Sequence, residues 1–127
     1  MNSVDELIKE LNLDKKLVEI RREFHKYPEL SGKEYMTMDK ICQYLTKWDI
    51  KYTKGVADTG VVAIIEGAFP GKTVGIRGDI DALPIEEENK NTPYCSQNPG
   101  VMHACGHDAH ITILLGVAKI LKVMKGR

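Results

Sequence analysis

Nine consecutive residues, Met102-His103-Ala104-Cys105-Gly106-His107-Asp108-Ala109-His110, hold one thiol, three imidazoles and a carboxylate. Thiolate, neutral imidazole and carboxylate are the ligand types that zinc and related divalent metals take. Cys105 and His107 flank Gly106. A residue without a side chain lets the backbone fold tightly enough for both neighbours to reach one ion or two adjacent ions. No second Cys or His pair stands at finger-like distance, so the pattern points to an open, catalytic metal rather than a closed, structural one. The plainer alternative is a buried cysteine beside surface histidines.

The other members of the cluster each admit more than one role. His103 precedes the turn and serves to shape it, while His110 stands where a helix begins, either as a donor behind the ligands or as an exposed first-turn residue. Asp108 suits a helix N-cap, or an acceptor that orients an imidazole, and both roles are compatible. Upstream, Asp79 and Asp81 lie two apart at the end of an apolar run. In a regular strand they project to the same side, with Arg77 behind them. Carboxylates so placed can bind a metal, orient a ligating histidine or hold charge near a reacting water. In isolation a solvated acidic turn before Pro84 accounts for them equally well.

These groups need elements to position them. With 127 residues the chain allows one domain, 43% hydrophobic residues suits a globular core, and 18 basic against 18 acidic residues leaves no net charge. Nucleic acid and membrane surfaces are therefore poor partners. No apolar run reaches the length of a membrane span, and the opening residues lack the regions of a signal peptide. Three cysteines at irregular positions 42, 95 and 105 do not form a disulfide framework, which favours a cytoplasmic, reducing setting.

Ser3 caps a first helix with Asp5 and Glu6 in its opening turn, and a break falls near residues 12–14. A second, amphipathic helix carries Leu17, Val18, Ile20 and Phe24 and stops before Pro28. His25 near its end reads as a structural histidine. A third helix from Lys33 to about Trp48 faces the core with Met38, Ile41, Cys42 and Leu45. Residues 50–53, 60–65 and 73–79 then change to strand-like patterns, with the last two expected to form an antiparallel pair across the turn at 67–71. Residues 86–100 form a long loop in which Glu86-Glu87-Glu88 is expected to be a solvated patch. The final helix is apolar almost all round and is expected to be buried, with lysines at 119, 122 and 125 toward its C-terminus before Gly126 and Arg127. The pattern is α/β: a helix-covered mixed sheet.

Four blocks in order, Arg21-Arg22-Glu23-Phe24-His25-Lys26-Tyr27-Pro28-Glu29, Gly60-Val61-Val62-Ala63, Arg77-Gly78-Asp79-Ile80-Asp81-Ala82-Leu83-Pro84-Ile85 and 102–110, resemble the aminoacylase-type metallopeptidase family. The similarity is greatest to its amidohydrolase branch of hippurate hydrolases, auxin–amino-acid conjugate hydrolases and N-acetyldiaminopimelate deacetylases. The resemblance implies the N-terminal portion of a zinc-exopeptidase-like catalytic domain, residues 1–127. It also implies hydrolysis of an amide bond in an N-acyl amino acid or short peptide, with one or two divalent ions (zinc, manganese or cobalt). Carried over by position, Cys105 and His107 are metal ligands. Asp81 matches an aspartate that lies behind the ligands, and Asp79 stands where other branches have a ligating histidine, so these are the candidate catalytic carboxylates. Gly78 replaces the more usual alanine, a change expected to be harmless.

The family's general-base Glu-Glu pair, further histidine ligands and lid domain have no counterpart in these residues. The resemblance therefore implies a piece inactive as a hydrolase by itself. The alternative is a non-enzymatic remnant or subunit that assembles with another copy or with the missing C-terminal half.

Overall fold

A computed structural model of the chain describes residues 3–125; Gly126 and Arg127, which the sequence pattern places after the last helix, lie outside them. Helix α1 (Val4–Glu10) opens on a capping box, in which the Ser3 hydroxyl accepts from the Glu6 amide at 3.2 Å and the Glu6 carboxylate accepts from the Ser3 amide at 2.9 Å. Two otherwise orphaned amides are satisfied reciprocally. Asn12, in the left-handed region at φ 48°, breaks the chain before α2 (Leu13–Lys26). Helix α3 (Tyr35–Lys47) follows, then β1 (Lys51–Val56), β2 (Gly60–Ile64) and α4 (His107–Met124).

One apolar core joins three helices and the start of the sheet. Ile20 and Phe24 of α2, Ile41 and Leu45 of α3, Trp48, Ile50, and Ile111 and Leu115 of α4 are buried together. The three-and-four spacing of these residues puts each helix's apolar stripe on the shared interior. Helices α2 and α4 approach closely at Gly116, where an added Cβ would lie 2.9 Å from Leu17 Cδ1.

The fold is α/β with helices covering a small antiparallel sheet. The ladder pairs Lys51 with Ile64, Tyr52 with Ala63 and Thr53 with Val62; its register slips at Gly55, in left-handed backbone near the end of β1, and the turn to β2 uses left-handed Ala57 and Asp58. The expected partnership of 60–65 with 73–79 does not form. This tight turn brings β2 onto β1 instead, and among the described residues no strand lies beside 73–78 to complete a ladder. Val74 and Ile76 consequently stand 82% and 59% exposed. A period-2 apolar pattern records a tendency toward strand, while pairing requires a neighbour.

Residues 81–83 are held from both sides. The Ala82 amide donates to Glu29 O at 2.8 Å, and Leu83 and Met102 exchange backbone hydrogen bonds of 2.9 and 3.0 Å. Helix α4 departs from the expectation of full burial. Its inner side is buried, while Ile113 and Leu121 are 60% and 44% exposed. No helix among the described residues is long and apolar enough to cross a membrane.

Candidate metal centre

Gly106, at φ 95°, turns the chain into α4 through left-handed backbone that residues with side chains rarely adopt, and His107 is the first helical residue. The His107 ring is held from upstream. Its Nδ1 lies 3.0 Å from both the backbone oxygen and Oδ1 of Asp81. Two acceptors at one nitrogen make Nδ1 the proton-bearing donor, which leaves the Nε2 lone pair free to accept or to coordinate. Asp79 reaches the same ring from the other end, with Oδ2 3.8 Å from Nε2, while its Oδ1 accepts from Arg77 at 2.6 Å. Asp79 and Asp81 thus both face His107. The Cys105 thiol is free and exposed, and the His110 ring lies 5.4 Å from that of His107. No group of three or more potential ligands converges among the described residues.

Beneath this surface pair lies a buried polar network whose members the sequence reading kept apart. Asp108, fully buried, accepts from Arg21 Nε at 2.8 Å and His25 Nδ1 at 2.7 Å. Its other oxygen accepts from the Ala109 amide at 2.9 Å. The N-cap position itself belongs to Gly106, so Asp108 is an acceptor that orients an imidazole, and the imidazole is His25. The opposite ring nitrogen of His25 lies 3.0 Å from Glu87 Oε1, and the second Glu87 oxygen accepts from the Ser96 amide. Arg21 Nη2 lies 3.2 Å from His25 Nδ1 and shares its carboxylate.

The expectation of a solvated acidic triplet fails at its middle member. Glu86 and Glu88 face water, while Glu87 turns inward and is buried. Burial works to raise the Glu87 pKa, but the Ser96 amide and His25 outweigh it and hold the carboxyl below its ordinary value. Tyr94 closes the outer side of the network, with the Arg22 guanidinium 4.7 Å from its ring centroid. Three identical residues in a row give the sequence no signal that singles out the middle one. His103 is buried with neither ring nitrogen hydrogen-bonded, and burial holds its pKa below the ordinary value.

At Gly78 the space an alanine would fill is taken up by Leu114, whose Cδ1 lies 2.5 Å from an ideal Cβ. The obstacle is the end of a flexible side chain, consistent with a tolerated exchange.

Comparison with known proteins gives this geometry a family. The model of Peptidase family M20/M25/M40 matches residues 75–127. Thermostable carboxypeptidase 1 of Saccharolobus solfataricus is 49% identical over 106 residues, covering 83% of this chain and 27% of that protein. The N-acetyl-L-cysteine deacetylase of Bacillus subtilis is 47% identical over 110 residues, covering 87% and 26%. The crystal structure of Bacillus subtilis YXEP, described as a dinuclear metal binding peptidase of the M20 family, superposes with a TM-score of 0.85 at 40% identity, covering 90% of this chain and 32% of that one. The chain spans about a third or less of the length of these relatives. Half-buried His107, held between two aspartates with an exposed thiol two residues before it, thus lies in the segment that matches Peptidase family M20/M25/M40, and the chain as a whole is similar in sequence and fold to about a third of such proteins.

Proposed function

We propose that the chain supplies half of a divalent-metal site to an amidohydrolase that cleaves an N-acyl amino acid or short peptide. The observation that carries this reading is the His107 ring, whose Nδ1 proton is committed to Asp81 so that Nε2 is left as a donor to metal. Cys105 and His107 hold the ion, which is zinc, manganese or cobalt given one borderline-soft sulfur and one imidazole. The donor set fits such an ion. A divalent cation bound there supplies Lewis acidity to the scissile carbonyl and to water.

Asp81 fixes the tautomer and orientation of His107. Asp79, 3.8 Å from Nε2, presents a carboxylate on the metal side of the ring, where it can hold a proton or add an oxygen ligand. The remaining ligands and the general base come from outside these residues, so the chain by itself is inactive as a hydrolase. Residues 1–127 act as the N-terminal part of the catalytic domain. Three unpaired cysteines suit a reducing, cytoplasmic setting.

Elemental analysis of the purified chain with Cys105→Ala and His107→Ala tests the ligand pair, alongside assays for amino acid released from N-acetyl and N-benzoyl substrates. Bound metal in the parent, lost in both variants, with no hydrolysis, is the expected result. Metal retained by both variants overturns the ligand assignment, and turnover by the chain alone overturns the need for further residues.

A second reading, a subunit that works only when assembled with another copy of this chain, draws on the exposed apolar side chains of Val74, Ile76, Ile113 and Leu121. Size-exclusion chromatography with light scattering separates the two. A stable oligomer of this chain favours assembly between copies, and a monomer favours the first reading.

A further inference from the structure

We propose that His25 is a positioning residue for the metal pair: its two ring nitrogens fasten the loop that leads to Cys105 and the helix that begins at His107 into one arrangement. This rests on the metal reading of Cys105 and His107. His25 lies 83 residues from Asp108 and 62 from Glu87 in sequence, yet it bonds both, at 2.7 and 3.0 Å. All three side chains are buried. A planar ring bonded at Nδ1 and Nε2 sets the separation and angle of its two partners.

On one side the connection runs directly to a ligand, because Asp108 is the neighbour of His107 in the first turn of α4. On the other it runs through the loop. Glu87 takes the Ser96 amide, and the Ser96 hydroxyl donates to Val101 O at 2.6 Å. Met102 follows and pairs with Leu83, next to the residues that hold His107. From His25, hydrogen bonds therefore reach both strands of chain that deliver the candidate ligands.

A stability role alone accounts poorly for this choice of residues. A buried ionic cluster is often no more stabilising than well-packed apolar residues of the same volume, while a ring hydrogen-bonded at both nitrogens constrains the direction of both partners, which apolar contacts do not. Partners behind metal ligands typically change metal affinity about 10–100-fold when removed.

The test uses the 127-residue chain and its His25→Ala, Glu87→Ala and Glu87→Gln variants, with Cys105→Ala as control. Circular dichroism establishes folding. Cobalt(II) titration against a competing chelator reads affinity, and the thiolate-to-cobalt charge-transfer band reports whether the thiol is engaged. Amide hydrogen exchange of Ser96 and of residues 101–109 is followed without metal.

In folded His25→Ala and Glu87→Ala we expect cobalt binding about 10–100-fold weaker with a diminished band. Ser96 exchange is expected to be clearly faster, and Glu87→Gln, which keeps an acceptor, is expected to rescue most of both. Parental affinity and band in folded His25→Ala and Glu87→Ala overturn the proposal. If His25→Ala does not fold, the Glu87 pair decides alone. If the parent itself shows no thiolate band, the metal reading falls and the fastening is judged by exchange, where unchanged rates in Glu87→Ala overturn it.

Discussion

Replacing Asp108 with alanine removes the buried acceptor on which two donors, buried His25 and half-buried Arg21, converge. The carboxylate takes bonds from Arg21 at 2.8 Å and His25 at 2.7 Å, and its other oxygen accepts from the Ala109 amide at 2.9 Å. A hydrogen bond to a charged group contributes about 1.5–3 kcal/mol, and breaking a buried pair by removing one partner costs about 3–5 kcal/mol. The Arg21 side chain is 35% exposed and rehydrates, so its share is discounted, and the loss falls mainly on His25. A destabilisation of about 3 kcal/mol follows from these terms. Unfolding entropy of about 2.1 cal/mol/K per residue gives about 0.27 kcal/mol/K for a chain of this length, so the midpoint should fall by about 11 °C. Asp108→Asn keeps the shape but loses the charge and must turn its NH2 either toward the Ala109 amide or toward the Arg21 and His25 donors, and is expected to lose less than Asp108→Ala. Thermal melts followed by circular dichroism at neutral pH measure this, with Glu88→Ala, whose side chain faces water, as a control expected to melt like the parent. A midpoint within about 3 °C of the parent for Asp108→Ala would refute the reasoning, because it would mean that Arg21 and His25 find water at no cost.

Gly78→Ala should change stability by less than about 1 kcal/mol, since a shift of the Leu114 rotamer is opposed by the reduced freedom of the unfolded chain. A larger loss in urea unfolding would show that Leu114 is locked. Glu87 makes stability depend on pH in a defined direction. Its folded-state pKa lies below the ordinary 4.5, so its contribution is fully present above that value and is lost as pH falls through the lowered one. Urea unfolding in steps across this acid range should show a steeper fall for the parent than for Glu87→Gln, and equal slopes would contradict the assignment.

Local chemistry was legible and long-range pairing was not. Ser3 with Glu6, the stop before Pro28, and the stripe of Ile20, Phe24, Ile41 and Leu45 are written in spacings of three and four, and each appears in the fold. Asp79 and Asp81 share a side because neighbours two apart in an extended chain do so. His25 carries no local sign of its partners, since Glu87 and Asp108 lie 62 and 83 residues away. Glu87 was hidden by its flanking glutamates, because composition reads the triplet as water-facing and only the folded structure separates the middle one. The segment 73–79 has the residues of a strand, but no residue in it specifies which neighbour it pairs with. The outer side of α4 misled for a related reason. An apolar pattern on every side states what a surface would gain from cover, and Ile113 and Leu121 show that these residues alone do not provide it.

The unladdered backbone of 73–78 has a thermodynamic consequence. Its free amide and carbonyl groups, with Val74 and Ile76 beside them, form a template on which another strand can add. Any polypeptide that adds there binds the folded form and not the unfolded one, so it raises the unfolding free energy by an amount that grows with the logarithm of its concentration. The melting temperature of this chain is then a property of the mixture. Titrating in a complementary strand should move it upward smoothly, and the slope of that shift reads the affinity of the edge.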